Sequence, residues 1–299
     1  MILNYSLCGD DIRLLLEEVK DLLNISFGSE GIRLVSGEWD EAGYRITKKG
    51  SEVVIQYYAK SDFCRSLLTL CKRAGEKEWT YGEKSSFEEF GVMLDISRNA
   101  VMRNDALRQF IKSVALMGYN FIGLYMEDTI EVAEEPYFGY MRGAMTAEEL
   151  KEIDAYAGIF GIELRAYIQT LAHVNQITRY EEYQAIIDTD DILLAGEERT
   201  YQLLECLIKT VSENISSRRI NIGMDEAHMV GLGKYLDKHG YSNRFHIMEE
   251  HLKRVLAICD KYGLQAEMWS DMFFRLETPQ VREEYCVPPT GHFSEATIK

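Results

Sequence analysis

The chain has 299 residues, enough for one large domain or two ordinary ones, and its 46% apolar and 27% charged residues suit a globular protein rather than a disordered one. A formal net charge of -16 argues against a nucleic-acid backbone or an anionic membrane as partner, since both reward Lys and Arg, but leaves a neutral ligand such as a sugar open. No apolar run approaches a membrane span, and the N-terminus MILNYSLCGDD lacks the basic region and long apolar run of a secretory signal. The six cysteines (Cys8, Cys64, Cys71, Cys206, Cys259 and Cys286) form no CxxC pair and read as buried free thiols, so a reducing, cytoplasmic setting is expected.

Residues 1–80 read as a small α+β domain. Ile2 to Leu7 is a short strand, and Asp10 or Asp11 caps a helix whose apolar positions Ile12, Leu15, Val19, Leu22 and Leu23 recur at helical spacing. The alternating segments Gly31 to Trp39, Tyr44 to Lys48 and Glu52 to Tyr58, with turn residues between them, predict a meander, and Asp62 to Arg73 returns to a helical pattern. The polar stretch Lys77 to Glu89 predicts a boundary.

Residues 81–299 read as a second domain in which strand and helix alternate. Strands are expected at Phe90 to Ser97, Asn120 to Met126, Ile162 to Ile168, Arg219 to Met224 and Leu264 to Met268. Between them fall helices at Asp105 to Met117, Thr146 to Phe160 with a capping box to Glu149, Glu197 to Ile215, and from Ser242 or Asn243 to Tyr262. Such an order implies parallel strands with right-handed crossovers, in a doubly wound open sheet or a (β/α)8 TIM-type barrel. Long strand-to-helix loops at Glu127 to Met145 and Thr170 to Gly196, against short helix-to-strand turns, favour the barrel, with its site on the C-terminal face of the strands. No glycine-rich phosphate loop follows a strand. Five β/α units are legible where a closed barrel needs eight strands, so the barrel is expected to be incomplete.

Each strand end carries polar groups: Asp95, Ser97 and Arg98; Glu127 and Asp128; Gln169 and His173; Asp225, Glu226 and His228; Glu267, Trp269 and Asp271. Singly, each has a plain structural reading. Asp225 is a helix cap with Glu226 favoured by the helix dipole, Arg98 a surface residue, His173 a satisfied loop histidine and Trp269 a core aromatic. All five strands ending this way points instead to a site. Two adjacent carboxylates cannot both ionise easily, so one is expected to keep a proton and serve as an acid. Neighbouring strand residues face opposite ways, and both acids reach one ligand only if the backbone turns after Gly223.

The segments GVMLDISRNAVM, YFGYMRGAMT, YIQTLAH, GMDEAH and AEMWSDMF, in that order from about Phe90 to Leu276, resemble glycoside hydrolase family 20, the β-N-acetylhexosaminidases. The resemblance implies an exo-acting enzyme on terminal β-linked N-acetylglucosamine or N-acetylgalactosamine, without a cofactor, by substrate-assisted retention. It assigns Asp225 to the acetamido group and Glu226 to protonating the leaving oxygen. Arg98 would grip ring hydroxyls, and His173, Trp269 and Asp128 would line the pocket. The family's later strands, with further aromatic walls and a tyrosine at the acetamido group, have no counterpart in this sequence. Two other readings stand beside it: a metal-dependent barrel hydrolase with Asp225, His228 and His173 as ligands, and a non-catalytic carbohydrate-binding fragment that self-associates through the open side of the barrel.

Overall fold

The computed structural model describes residues 1–98 and 101–277. The chain divides into two compact units, one of Met1–Met93, Met102–Gly123 and Glu152–Leu164, the other of Leu94–Val101, Leu124–Lys151 and the chain from Arg165. Cys286 lies outside the described residues.

The first unit opens with β1 (Ile2–Asn4), α1 (Asp10–Leu23), β2 (Ser26–Phe27), β3 (Ile32–Glu38), β4 (Gly43–Lys49), β5 (Glu52–Tyr57), α2 (Lys60–Lys72) and β6 (Glu78–Lys84). The strands form one mixed sheet in the order β2-β1-β3-β5-β4-β6. α1 buries Ile12, Leu15, Leu16 and Val19, a stripe at the i, i+3, i+4, i+7 spacing of an amphipathic helix. Burying each such side chain is worth about 1.5–3 kcal/mol, so this face outweighs the helix's modest intrinsic propensity. Gly9 stands at the N-cap rather than Asp10 or Asp11, which both lie in the first turn.

Two expectations for this unit give way. β3, β4 and β5 are not a meander: β3 pairs with β5 in parallel, and β4 lies on the far side of β5. Lys49 faces Glu52 across a two-residue turn in which Gly50 takes φ 57°, so β4 and β5 are the hairpin, and alternation alone does not specify β3's neighbour. The stretch 77–89 is not all linker, because β6 runs antiparallel to β4 from Glu78 to Lys84. As an edge strand it is polar, which hides it from a hydrophobic pattern.

The remaining elements are β7 (Gly91–Asp95), α3 (Asn104–Leu116), β8 (Phe121–Tyr125), α4 (Ala147–Ile159), β9 (Glu163–Tyr167), α5 (Glu181–Gln184), β10 (Ile187–Thr189), β11 (Ile192–Leu193), α6 (Glu198–Asn214), β12 (Arg219–Asn221), α7 (Lys234–His239), α8 (Arg244–Lys261), β13 (Gln265–Glu267) and α9 (Asp271–Glu277). All five alternating strands and the four expected long helices are present within a few residues of where periodicity puts them. The strands form one sheet in the order β13-β12-β9-β8-β7, with β12 parallel to both neighbours. β8 and β9 are buried on both faces beyond their first residue, as inner strands of a parallel sheet must be. The sequential order matches the start of a (β/α)8 barrel, and the sheet does not close on itself among the described residues.

The helices follow from local chemistry. Thr146 and Glu149 make the expected reciprocal capping box at the start of α4: Glu149 N–H donates to Thr146 Oγ1 at 3.1 Å and Thr146 N–H to Glu149 Oε2 at 2.9 Å. α6 buries Leu204, Leu207, Ile208 and Val211 and packs on α8, whose Asn243 cap accepts the Phe245 N–H at 2.9 Å. No helix among the described residues is long and apolar enough to cross a membrane.

Candidate active site

The site is assembled where the strands of the second unit end. After β7, Asp95 accepts hydrogen bonds from the backbone and hydroxyl of Ser97 at 2.9 and 2.8 Å and from the Arg98 N–H at 3.2 Å. This turn carries Arg98 over the Tyr125 ring, 5.1 Å from its centroid. Arg98 Nη2 donates to the Tyr125 hydroxyl at 3.1 Å and lies 3.2 Å from Glu127 Oε1. Tyr125, the last residue of β8, donates in turn to Glu127 Oε1 at 3.1 Å.

Gln169, past the end of β9, joins that group to the acidic pair. Its Nε2 donates to the Tyr125 hydroxyl at 3.0 Å and to Asp225 Oδ1 at 2.9 Å. His173 Nε2 lies 3.2 Å from Asp225 Oδ2 and 3.8 Å from Glu226 Oε2, so one imidazole nitrogen faces both carboxylates. Burial alone would raise the Asp225 carboxyl, but the hydrogen bonds from His173 and Gln169 outweigh it and hold it below the ordinary range. The bond to Asp225 raises the His173 imidazole against burial. The expected repulsion between neighbouring acids is therefore not what governs Asp225, which is kept ionised by its two donors.

The backbone turn that adjacent acids require is present and pronounced. β12 ends at Asn221, and Gly223, Met224 and Glu226 take φ of 73°, 72° and 52°. Left-handed conformation is cheap for glycine and costs other residues about 1–3 kcal/mol, so two strained residues beside Asp225 mark a segment fixed by its surroundings. Glu127 and His173 are left-handed as well, with φ 42° and 57°. A Cβ on Gly223 would fall 2.1 Å from Gln169 Oε1, so glycine is required where that side chain crosses. No helix begins at Asp225, and the reading of the acids as a helix start fails: the next helix is α7, at Lys234.

Trp269 follows β13, its ring 6.1 Å from that of Tyr167 and partly exposed, and its backbone N–H donates to Gly223 O at 3.1 Å. Asp128 is directed elsewhere. Nearly buried, it is paired with Arg142 Nε at 3.2 Å, while Arg142 Nη2 donates to Ser97 O at 2.6 Å. His228 Nε2 lies 3.4 Å from Arg275 Nη1. Among the described residues no group of three or more His, Cys, Asp or Glu side chains could hold a metal ion.

The structure thus gathers Arg98, His173, Asp225 and Glu226 into one connected cluster. Tyr125, Glu127 and Gln169 belong to it too. Tyr125 reads as core in NFIGLYM, and the available signal is that a buried phenol needs a hydrogen-bonding partner. Arg142 hides in a loop, where only the buried carboxylate it neutralises reveals it.

An incomplete (β/α) barrel with its polar cluster at the C-terminal strand ends is the arrangement in which barrel enzymes keep their chemistry. No protein-family model matches the sequence, and neither does any curated protein. Among solved structures, a mutant Streptomyces plicatus β-hexosaminidase in complex with product GlcNAc matches with TM-score 0.73 and 21% identity over 91% of this chain and 61% of its own. The glycoside hydrolase family 20 β-N-acetylhexosaminidase of Streptomyces coelicolor matches with TM-score 0.71 and 19% identity, covering 91% of this chain and 62% of its own. The family 20 exo β-N-acetylglucosaminidase of Vibrio harveyi, in complex with N-acetylglucosamine, gives 0.72 and 16%, covering 90% and 51%. At these identities the likeness is one of fold, and the chain spans between about half and three fifths of these proteins' lengths.

Proposed function

We propose that the chain carries the catalytic centre of a retaining, exo-acting β-N-acetylhexosaminidase. The observation that carries this reading is the Asp225 and Glu226 pair: one acid is held ionised by His173 and Gln169, and the other is presented beside it by a left-handed backbone. In substrate-assisted hydrolysis the 2-acetamido oxygen attacks the anomeric carbon and an oxazolinium ion forms. An Asp225 whose carboxyl is held below the ordinary range suits the acetamido nitrogen, whose positive charge grows in that step. Glu226 protonates the departing oxygen and then removes a proton from water, which attacks the same face and restores the acetamido group. Arg98, held by Tyr125 and Glu127, offers paired donors to ring hydroxyls, and Trp269 an apolar wall. His173 acts through Asp225. Asp128, paired with Arg142, serves the pocket by fixing the loop.

Hydrolysis of an aryl β-N-acetylglucosaminide is the test. Glu226→Gln should lower kcat about 10²–10⁴-fold, the usual contribution of a general acid and base. Asp225→Asn should depress turnover of 2-acetamido sugars while leaving any activity on plain β-glucosides unchanged. Equal cleavage of both sugars by the native chain would rule out substrate assistance. A second reading, a sugar-binding chain without turnover that self-associates through its sheet, is favoured by the unpaired outer edges of β7 and β13 among the described residues. Binding of N-acetylglucosamine without hydrolysis, in a chain that sediments as an oligomer, would select it.

A further inference from the structure

We propose that Asp271 is a positioning residue for Glu226, holding that residue's backbone so that its carboxyl stands beside Asp225; the inference rests on the hydrolase reading above. Asp271 is the first residue of α9, two residues beyond Trp269. Its Oδ2 accepts the Glu226 N–H at 3.3 Å, while the Trp269 backbone N–H donates to Gly223 O at 3.1 Å. The segment after β13 is thereby tied twice to the turn after β12, once at each end of the strained run from Gly223 to Glu226.

The strain gives the tie its purpose. Glu226 has a long side chain and no conformational reason of its own to adopt φ 52°, so the turn persists only where its surroundings impose it. Two bonds hold its backbone: its N–H donates to Asp271, fixing the peptide that enters the residue, and its carbonyl accepts the His228 N–H at 2.6 Å. Releasing the bond to Asp271 lets Glu226 relax toward negative φ and swing its carboxyl away from His173, now 3.8 Å distant.

Asp271 is also poorly provided for by the fold alone. Its Oδ1 is buried and accepts no hydrogen bond among the described residues, a costly state for a carboxylate oxygen. Burial, then the neighbouring charge of Asp225, raise its carboxyl, and Arg275 opposes them. Asp225 and Arg275 are the charges that act on it, and Glu226 meets it through the backbone N–H. A residue serving only to start a seven-residue helix would gain more by facing solvent.

The test separates an effect on the acid from a general loss of structure. Asp271→Ala should lower kcat on a β-linked N-acetylglucosamine disaccharide about 10–100-fold, the scale of a displaced general acid, with KM within about 2-fold of native. With an acidic phenol as leaving group, which needs little protonation, the loss should be several-fold smaller. Asp271→Asn keeps an oxygen acceptor for the Glu226 N–H and should restore most of the rate. Equal losses on the two leaving groups, an unchanged kcat in the alanine variant, or an asparagine variant as poor as alanine would each overturn the proposal. Should the alanine variant not fold, Asp271→Ser, too short to reach the N–H, takes its place under the same criteria. A native chain that cleaves neither substrate defeats the hydrolase reading itself and this inference with it.

Discussion

At the scale of single residues, the pair His173 and Asp225 makes the sharpest electrostatic prediction. The imidazole is raised chiefly by its hydrogen bond to Asp225, so its titration, followed by NMR of the ring carbons, should lie above the ordinary value of about 6.5. In Asp225→Asn it should fall, since the largest raising interaction is lost and burial is then opposed only by the charges of Glu127 and Glu226; an unmoved midpoint would show that the pair is not coupled. The corresponding stability is fully present below the unfolded midpoint and is lost as pH rises through the folded one. The residues of this cluster differ in how far sequence exposes them. Asp225 and Glu226 announce themselves as a pair, and Arg98 and His173 sit at strand ends, where the barrel rule directs attention. Gln169 is named by the same rule, but its bond to Asp225 spans 56 residues, and no local pattern encodes that. The left-handed turn is equally hidden, because Met224 and Glu226 are not residues that favour it.

At the scale of elements, helix starts and the parallel strands are set by local chemistry, and they are the legible part of the fold. The capping box at Thr146 is the clearest case, and Thr146→Ala should destabilise the chain by about 0.5–2 kcal/mol in a denaturant titration. A change near zero would mean that α4 is held by packing alone. What local chemistry leaves undetermined is partner choice. β3 and β4 follow one another with the right alternation and still do not pair, because the tight turn at Gly50 reserves β4 for β5. β6 escapes notice for the opposite reason: as an edge strand it needs no apolar face.

At the scale of the whole molecule, stability should depend on pH through a histidine outside the site. His251 is fully enclosed between Tyr201, whose hydroxyl lies 3.1 Å from Nδ1, and Thr170 O, 2.9 Å from Nε2. Burial pushes its imidazole down to about 4, and Arg254, over the Tyr201 ring, adds to the effect. Between about 6.5 and 4 the unfolded chain binds a proton that the folded chain refuses, so stability should fall as pH is lowered through that window. His251→Gln, which keeps one donor and one acceptor, should show a smaller drop in Tm between pH 7.5 and pH 5 than the native chain. An identical drop would assign the acid sensitivity to other groups. Thr170 follows Gln169 directly, so the same proton that loosens the core also reaches the segment supporting Asp225.

The loop between β8 and α4 is closed at its neck. Glu131 N–H donates to Met145 O, Met145 N–H donates to Thr129 O, and Arg142 reaches back to Asp128 and Ser97. The stretch between Val132 and Gly139 is held a second time from outside the neck, where Arg199 of α6 grips the buried Glu135 at 2.6 and 2.7 Å. Clamped at both its base and its crown, the loop transmits a shift of α6 to the strand ends instead of absorbing it, so a change at Arg199 would be felt at Asp128 and Ser97.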